Sequence, residues 1–209
     1  MSVKGFSQSD FDVFHINGLE ERMTAIQSQI QPKFKELGDT LTEELAVLAG
    51  NEMYLHIAKH ARRKVNPPND TWMAIGHDKR GYKKHPHFQV GLFDDHLFIW
   101  FALIYEVPNK KEIAESLLTN SHLIMELPQD FVISLDHMKK EATSLEQMNE
   151  SDLVASLERL RDVKKAEFLV GRHLTPTNPI VGDGQALLTY VKETYEHLLP
   201  IYKQAMTQR

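Results

Sequence analysis

The chain contains no cysteine, which excludes a disulfide framework, a zinc ribbon, an iron–sulfur centre and a thiol nucleophile together. It also lacks a long apolar run. The longest, Leu97 to Tyr105, falls far short of the roughly 20 residues that span a bilayer. The first residues, MSVKGFSQSDFDVF, hold one lysine and no apolar stretch of leader length, so the expectation is a cytoplasmic protein with no membrane partner. A Walker A loop, a His-Glu-x-x-His helix and a Gly-x-Ser-x-Gly elbow are missing, which weakens the enzyme classes built on them. Repeats of fixed period, low-complexity tracts and long linkers are missing too. A chain of 209 residues then reads as a single domain over 1–209.

Apolar residues make up 42% and charged residues 25%, enough to build a core and too balanced for disorder. The net charge of −5 conceals an asymmetry. Residues 56–87 hold eight Lys/Arg against two acids, a surplus of six, and the remainder carries −11. Five of the eleven histidines, His56, His60, His77, His85 and His87, lie in the same window. Like charges repel, so such a cluster is either a solvated face or an anion site.

Hydrophobic periodicity sets the element order. Leu19, Met23, Ile26 and Ile30 mark a helix closed by Pro32, and Thr40 with Glu43 has the capping-box spacing of a second. MYLHIAKHARR and TWMAIGH read as strands, and HFQVGLF and HLFIWFALIYE as a hairpin across Asp94-Asp95. In the latter strand Leu97, Ile99, Phe101 and Leu103 point one way and Phe98, Trp100, Ala102 and Ile104 the other. A strand apolar on both faces is central and covered on each side. A helix over about 109–125, the strand DFVISL, a helix capped by Asn149, the strand AEFLVGRHL and a final helix complete the order, and Pro200 should kink or end the last. Consecutive strands without intervening helices predict an α+β fold: an antiparallel sheet of about six strands with helices on its faces.

The densest candidate for chemistry is HDKRGYKKHPHFQVG, residues 77–91, where Lys79, Arg80, Lys83 and Lys84 surround Gly81-Tyr82. Cations around an aromatic suit phosphate contact with stacking on Tyr82. His85-x-His87 offers alternate residues on one side of a strand entry, a chelating spacing for which Asp94, Asp95 or His96 would supply the further ligands. His56 and His60, on a strand, stand about 13 Å apart and share no metal. Gly182-Asp183-Gly184 imitates the start of a dinucleotide fingerprint, but Leu187 occupies the third glycine position, and a turn in which Asp183 caps the last helix accounts for it.

The motif order resembles the YktB family of proteins of low-GC Gram-positive bacteria. The resemblance is carried by Phe6–Phe14, by Gly18-Leu19-Glu20-Glu21-Arg22-Met23, by the string from Arg80 to Gly91 and by Gly171-Arg172. It implies a curved antiparallel sheet packed by helices, similar to the TATA-binding-protein-like class, and brings no catalytic residue or cofactor with it. From the residues themselves the leading expectation is a binder of a phosphate-bearing ligand, nucleotide or nucleic acid, at a basic cleft. Arg62, Lys79, Arg80, Lys83, Lys84 and Arg172 would contact phosphates, Tyr82 would stack, Gln89 would hydrogen-bond, and His85 and His87 would complete the site. The alternatives are an enzyme, metal-assisted or otherwise, centred on His85 and His87, and a protein-interaction module.

Overall fold

The structure, a computed structural model, describes residues 3–208. Its centre is one open antiparallel sheet of seven strands: β1 (Tyr54–Ile57), β2 (Thr71–Gly76), β3 (His87–Leu92), β4 (Leu97–Leu103), β5 (Val132–Ser134), β6 (Thr143–Ser144) and β7 (Phe168–Leu174). The spatial order is β1-β2-β3-β4-β7-β5-β6. β4 lies in the middle, paired along its length with β3 and β7. Its two apolar stripes divide as the alternation predicts. Leu97, Ile99, Phe101 and Leu103 join the main core, and Phe98, Trp100, Ala102 and Ile104 join a second cluster on the opposite face.

The two faces are covered differently. The main core is closed by α1 (Gln8–Asp12), α2 (Leu19–Ala25), α3 (Gln31–Ala49), α4 (Lys110–Thr119), α5 (His122–Met125), α6 (Glu150–Asp162), α7 (Pro179–Gly182) and α8 (Gly184–Met206), each of which contributes to it. Among the described residues, the second cluster contains none from a helix. Its cover comes from loop residues such as Tyr82, Phe93 and Ala142. The expected helices on both faces are therefore found on one, and the seventh strand is the short β6 beyond β5.

Local departures have identifiable causes. Pro32 does not close a helix. A π-helical turn, Ile26–Ile30, joins α2 to α3, and Pro32 falls in the first turn of α3, where the ladder is already interrupted and a missing N–H is tolerated. Thr40 consequently sits inside α3 and caps nothing. The first strand stops at Ile57, because His60 adopts φ 50°, a left-handed conformation incompatible with a continuing strand. The expected 109–125 helix is interrupted after Thr119. α8 passes through Pro200 and ends only at Met206.

Two expected caps are present. Asn149 forms a capping box with Asp152, and Asp183 Oδ1 accepts from the backbone N–H groups of Gln185 and Ala186. Asp183 thereby occupies the amide donors that a dinucleotide phosphate would need at α8.

Candidate functional site

β1 is an edge strand, and the β2–β3 connection, residues 77–86, folds against it. Asp78 organises that loop. Its Oδ1 accepts the Arg80 amide at 2.8 Å, its Oδ2 lies 3.2 Å from His85 Nε2, and its backbone carbonyl lies 3.0 Å from His56 Nε2. The Arg80 amide, aided by His85, holds the Asp78 carboxyl below its usual range, so it remains the fixed anion of the loop. The chain reverses at Gly81, whose N–H donates to Asp78 O, and re-enters the sheet at His87.

Between this loop and β1 lies a cleft of about 710 Å3. Its wall carries Lys59, Arg80, Lys83 and Lys84, with His56 and His85, against the two acids Asp78 and Glu106. Lys83 approaches Glu106 to 3.7 Å. An exposed pair at that distance contributes little and leaves the lysine able to exchange partners. Lys84 and His85 also border a neighbouring hollow of about 370 Å3 between Pro86, Pro108 and Met206.

Beneath the cleft the second face is polar and aromatic, and most of it is already paired. The Trp72 indole N–H donates to Tyr82 Oη at 2.9 Å, and burial pushes the Tyr82 phenol up to about 12. The Tyr82 ring packs against His56 and His87, with centroids 5.4 and 4.8 Å away. His87 is fully buried and its imidazole is pushed down to about 3, so it is neutral. Its Nδ1 donates to the His85 carbonyl at 2.7 Å, which leaves Nε2 to accept from Gln89 Nε2 at 2.9 Å.

The structure thus brings together Arg80, Lys83, Lys84 and His85 from the expected set, with Tyr82 as the floor and not as an exposed stacking platform. His87 and Gln89 lie in the sheet beneath, bonded to each other. His85 packs instead on His77, ring centroids 4.4 Å apart, and the His85–His87 chelate is not formed. Arg62 and Lys79 are exposed and lie outside the residues lining the cleft.

Arg172 is the clearest separation. It alternates with Val170 and Leu174 on the helix-covered face, where Asp130 Oδ2 lies 2.8 Å from its Nε and Glu193 Oε1 3.3 Å from its Nη1. Its guanidinium also covers the rings of Phe131 and Tyr190. Arg172 therefore does not line the cleft that holds Arg80.

Lys59 and His56 belong to the cleft. Both fall in the basic 56–87 window, and that window is the signal that marks them. Glu106 has no local signal, since only the fold carries it from the end of β4 to the loop.

One further group has metal-donor geometry: donor atoms of Asp136, His137 and Glu167 lie within 4.8 Å of one another. Their lone pairs are largely committed. Glu167 accepts from the backbone N–H groups of His137 and Tyr105 and pairs with His137 Nδ1 at 2.7 Å, and Asp136 Oδ1 accepts from the Met138 amide. The group locks the loop after β5 across the second face. Hydrogen bonds from His137 hold the Glu167 carboxyl below its usual range despite its burial.

The fold and the cleft define a class: an α+β protein with helices on one face of an open antiparallel sheet and a cationic hollow at a sheet edge. Within it, the chain belongs to the family whose model is described as a domain of unknown function, DUF1054, matched over residues 6–202. It is 58% identical over 208 residues to a UPF0637 protein of Shouchella clausii, covering 99% of this chain and 97% of the relative. It is 56% identical over 207 residues to one of Oceanobacillus iheyensis, covering 99% of each, and 49% identical over 206 residues to one of Listeria monocytogenes, covering 99% and 100%. The expected kinship with a family of low-GC Gram-positive bacteria holds.

Proposed function

We propose that the cleft between β1 and the 77–86 loop binds a small phosphorylated molecule. The observation that carries this reading is the convergence of Lys59, Arg80, Lys83 and Lys84 on one hollow of a chain whose net charge is −5. Four cations facing two carboxylates leave an uncompensated surplus, which a phosphate dianion relieves through charge-assisted hydrogen bonds. The volume is in the range of small-ligand sites, and the adjoining hollow by Pro86 and Met206 offers room for the rest of the molecule. A nucleic acid is the weaker reading. Tyr82 is unavailable to stack on a base, and Arg62, Lys79 and Arg172 do not extend the cleft into a track. A phosphorylated metabolite as ligand goes with a cytoplasmic location. Among the described residues, no helix is long and apolar enough to cross a membrane.

The test is calorimetric titration with inorganic phosphate, ribose 5-phosphate, AMP, ATP and a single-stranded oligonucleotide, at about 50 and 200 mM salt. A small phosphorylated ligand should bind more weakly at the higher salt. Arg80→Ala combined with Lys83→Ala should lower its affinity about a hundredfold, the loss of two charge-assisted bonds. Absence of binding across the panel, or affinity indifferent to salt and to both substitutions, overturns the reading.

A further inference from the structure

Two hollows of opposite chemistry adjoin at Lys84 and His85, which line both. One is the cationic cleft. The other, of about 370 Å3, is closed by three segments distant in sequence: Pro86 before β3, Pro108 and Asn109 before α4, and Ala205 and Met206 in the last turn of α8. Beyond the shared pair its polar side chains are His77 and Asn109, and among the described residues no carboxylate lines it. The Asn109 amide N–H is already given to the Gln208 carbonyl. The partition between the hollows is fixed in place. Asp78 Oδ2 lies 3.2 Å from His85 Nε2, the His77 ring packs on the His85 ring with centroids 4.4 Å apart, and the next residue is the buried Pro86, whose φ is locked by its ring. Lys84 belongs on such a boundary, since its aliphatic stem suits the one side and its ammonium the other.

We propose that the ligand is the phosphate monoester of an aromatic alcohol, with its phosphate among Lys59, Arg80 and Lys83 and its ring in the hollow between Pro86, Pro108 and Met206. This inference rests on the reading of the cleft as a phosphate site and adds the chemistry of the other half of the molecule. A sugar would give up hydrogen bonds to water and find no replacement on Pro86, Pro108 or Ala205. A second phosphate would enter a hollow whose one cation, Lys84, already serves the cleft. An aromatic ring meets neither obstacle, and the Met206 thioether is a favourable neighbour for it. The hollow exceeds the roughly 150 Å3 of a cavity that takes up benzene, so one or two fused rings have room.

The full chain is titrated by calorimetry with 1-naphthyl phosphate, ribose 5-phosphate, inorganic phosphate and 1-naphthol, and the methyl resonance of Met206 is followed by NMR. The expected result is that 1-naphthyl phosphate binds at least about tenfold more tightly than each of the other three and displaces the Met206 methyl, which inorganic phosphate leaves in place. Met206→Ser should weaken 1-naphthyl phosphate about tenfold and leave inorganic phosphate unchanged, whereas Arg80→Ala combined with Lys83→Ala should weaken every phosphate in the series. If inorganic phosphate binds through Arg80 and Lys83 but the naphthyl ester gains nothing over it and the Met206 methyl stays put, this inference falls and the phosphate cleft stands. If no phosphate binds, both fall. A 1-naphthol affinity equal to that of its ester also overturns the inference, since the hollow would then act apart from the cleft. Should Met206→Ser fail to fold, the methyl resonance of the unaltered chain decides.

Discussion

The indole N–H of Trp72, on β2, donates to the phenol oxygen of Tyr82 in the basic loop at 2.9 Å. This bond attaches the mobile-looking part of the sequence to the sheet, and it fixes the floor of the cleft. Tyr82→Phe removes the acceptor and leaves a buried N–H without one, so urea unfolding should show a loss of about 1–3 kcal/mol. The loop that carries Arg80 and Lys83 also loses its anchor, and phosphate affinity should fall with it. An unfolding midpoint equal to that of the parent chain would mean that the indole is satisfied elsewhere.

How far the sequence reveals this arrangement differs from residue to residue. The two apolar stripes of β4 are legible because period-2 alternation is a local property. The caps at Asn149 and Asp183 are legible for the same reason, since each is completed within three residues. Tyr82 misleads because an aromatic among lysines looks exposed, and its partner Trp72 lies in a different element. Arg172 misleads because alternation along β7 does not reveal which face is covered by helices. Its partners Asp130 and Glu193 are 42 and 21 positions away, beyond any local pattern. The ring contact of His96 with His173, centroids 4.1 Å apart, is hidden likewise, being created by the β4–β7 register.

Stability should fall on acidification below about pH 6.5. Burial pushes His60 down to about 4 and His87 and His173 down to about 3. Between those values and about 6.5 the unfolded chain binds more protons than the folded one, so stability is present above the unfolded pKa and is lost as pH falls. Asp70 opposes this. Burial raises it to about 6, so in the folded state it takes up its proton earlier than in the unfolded chain. Three histidines against one aspartate leave a net of about two protons near pH 5, or roughly 3 kcal/mol per pH unit at the steepest point, and His96, also lowered by burial, acts in the same direction. Urea titrations at several pH values measure the slope. A flat profile between pH 6.5 and 4.5 would refute the buried neutral histidines.

Arg172 separates structural from ligand-binding charge. Arg172→Met keeps the stem that packs on Phe131 and Tyr190 and deletes the guanidinium. Asp130 and Glu193 are both about half exposed and regain water, so the cost should stay near 1–2 kcal/mol. Phosphate affinity should be unchanged, in contrast to Arg80→Ala. A comparable loss of affinity in both variants would connect Arg172 to the cleft through the sheet.

Glycines offer a graded test of the packing around Trp100. Gly171 lies opposite Trp100 in the β4–β7 register, and a Cβ there would stand 1.7 Å from Ile99 O and 3.0 Å from Trp100 Cε3. The first contact is with backbone inside a ladder, which cannot move aside without breaking strand pairing, so Gly171→Ala should cost about 3 kcal/mol or more. Gly50 has open space around it but φ 75° at the end of α3, so Gly50→Ala should cost about 1 kcal/mol from backbone strain alone. At Gly182 the nearest atom would be 4.0 Å away and φ is ordinary, so alanine should lie within about 0.5 kcal/mol of the parent. Guanidinium unfolding of the three variants should give that order. A Gly171→Ala chain as stable as Gly182→Ala would require β7 to sit further from β4 than the paired register allows, and the meeting of His173 with His96 would fail with it.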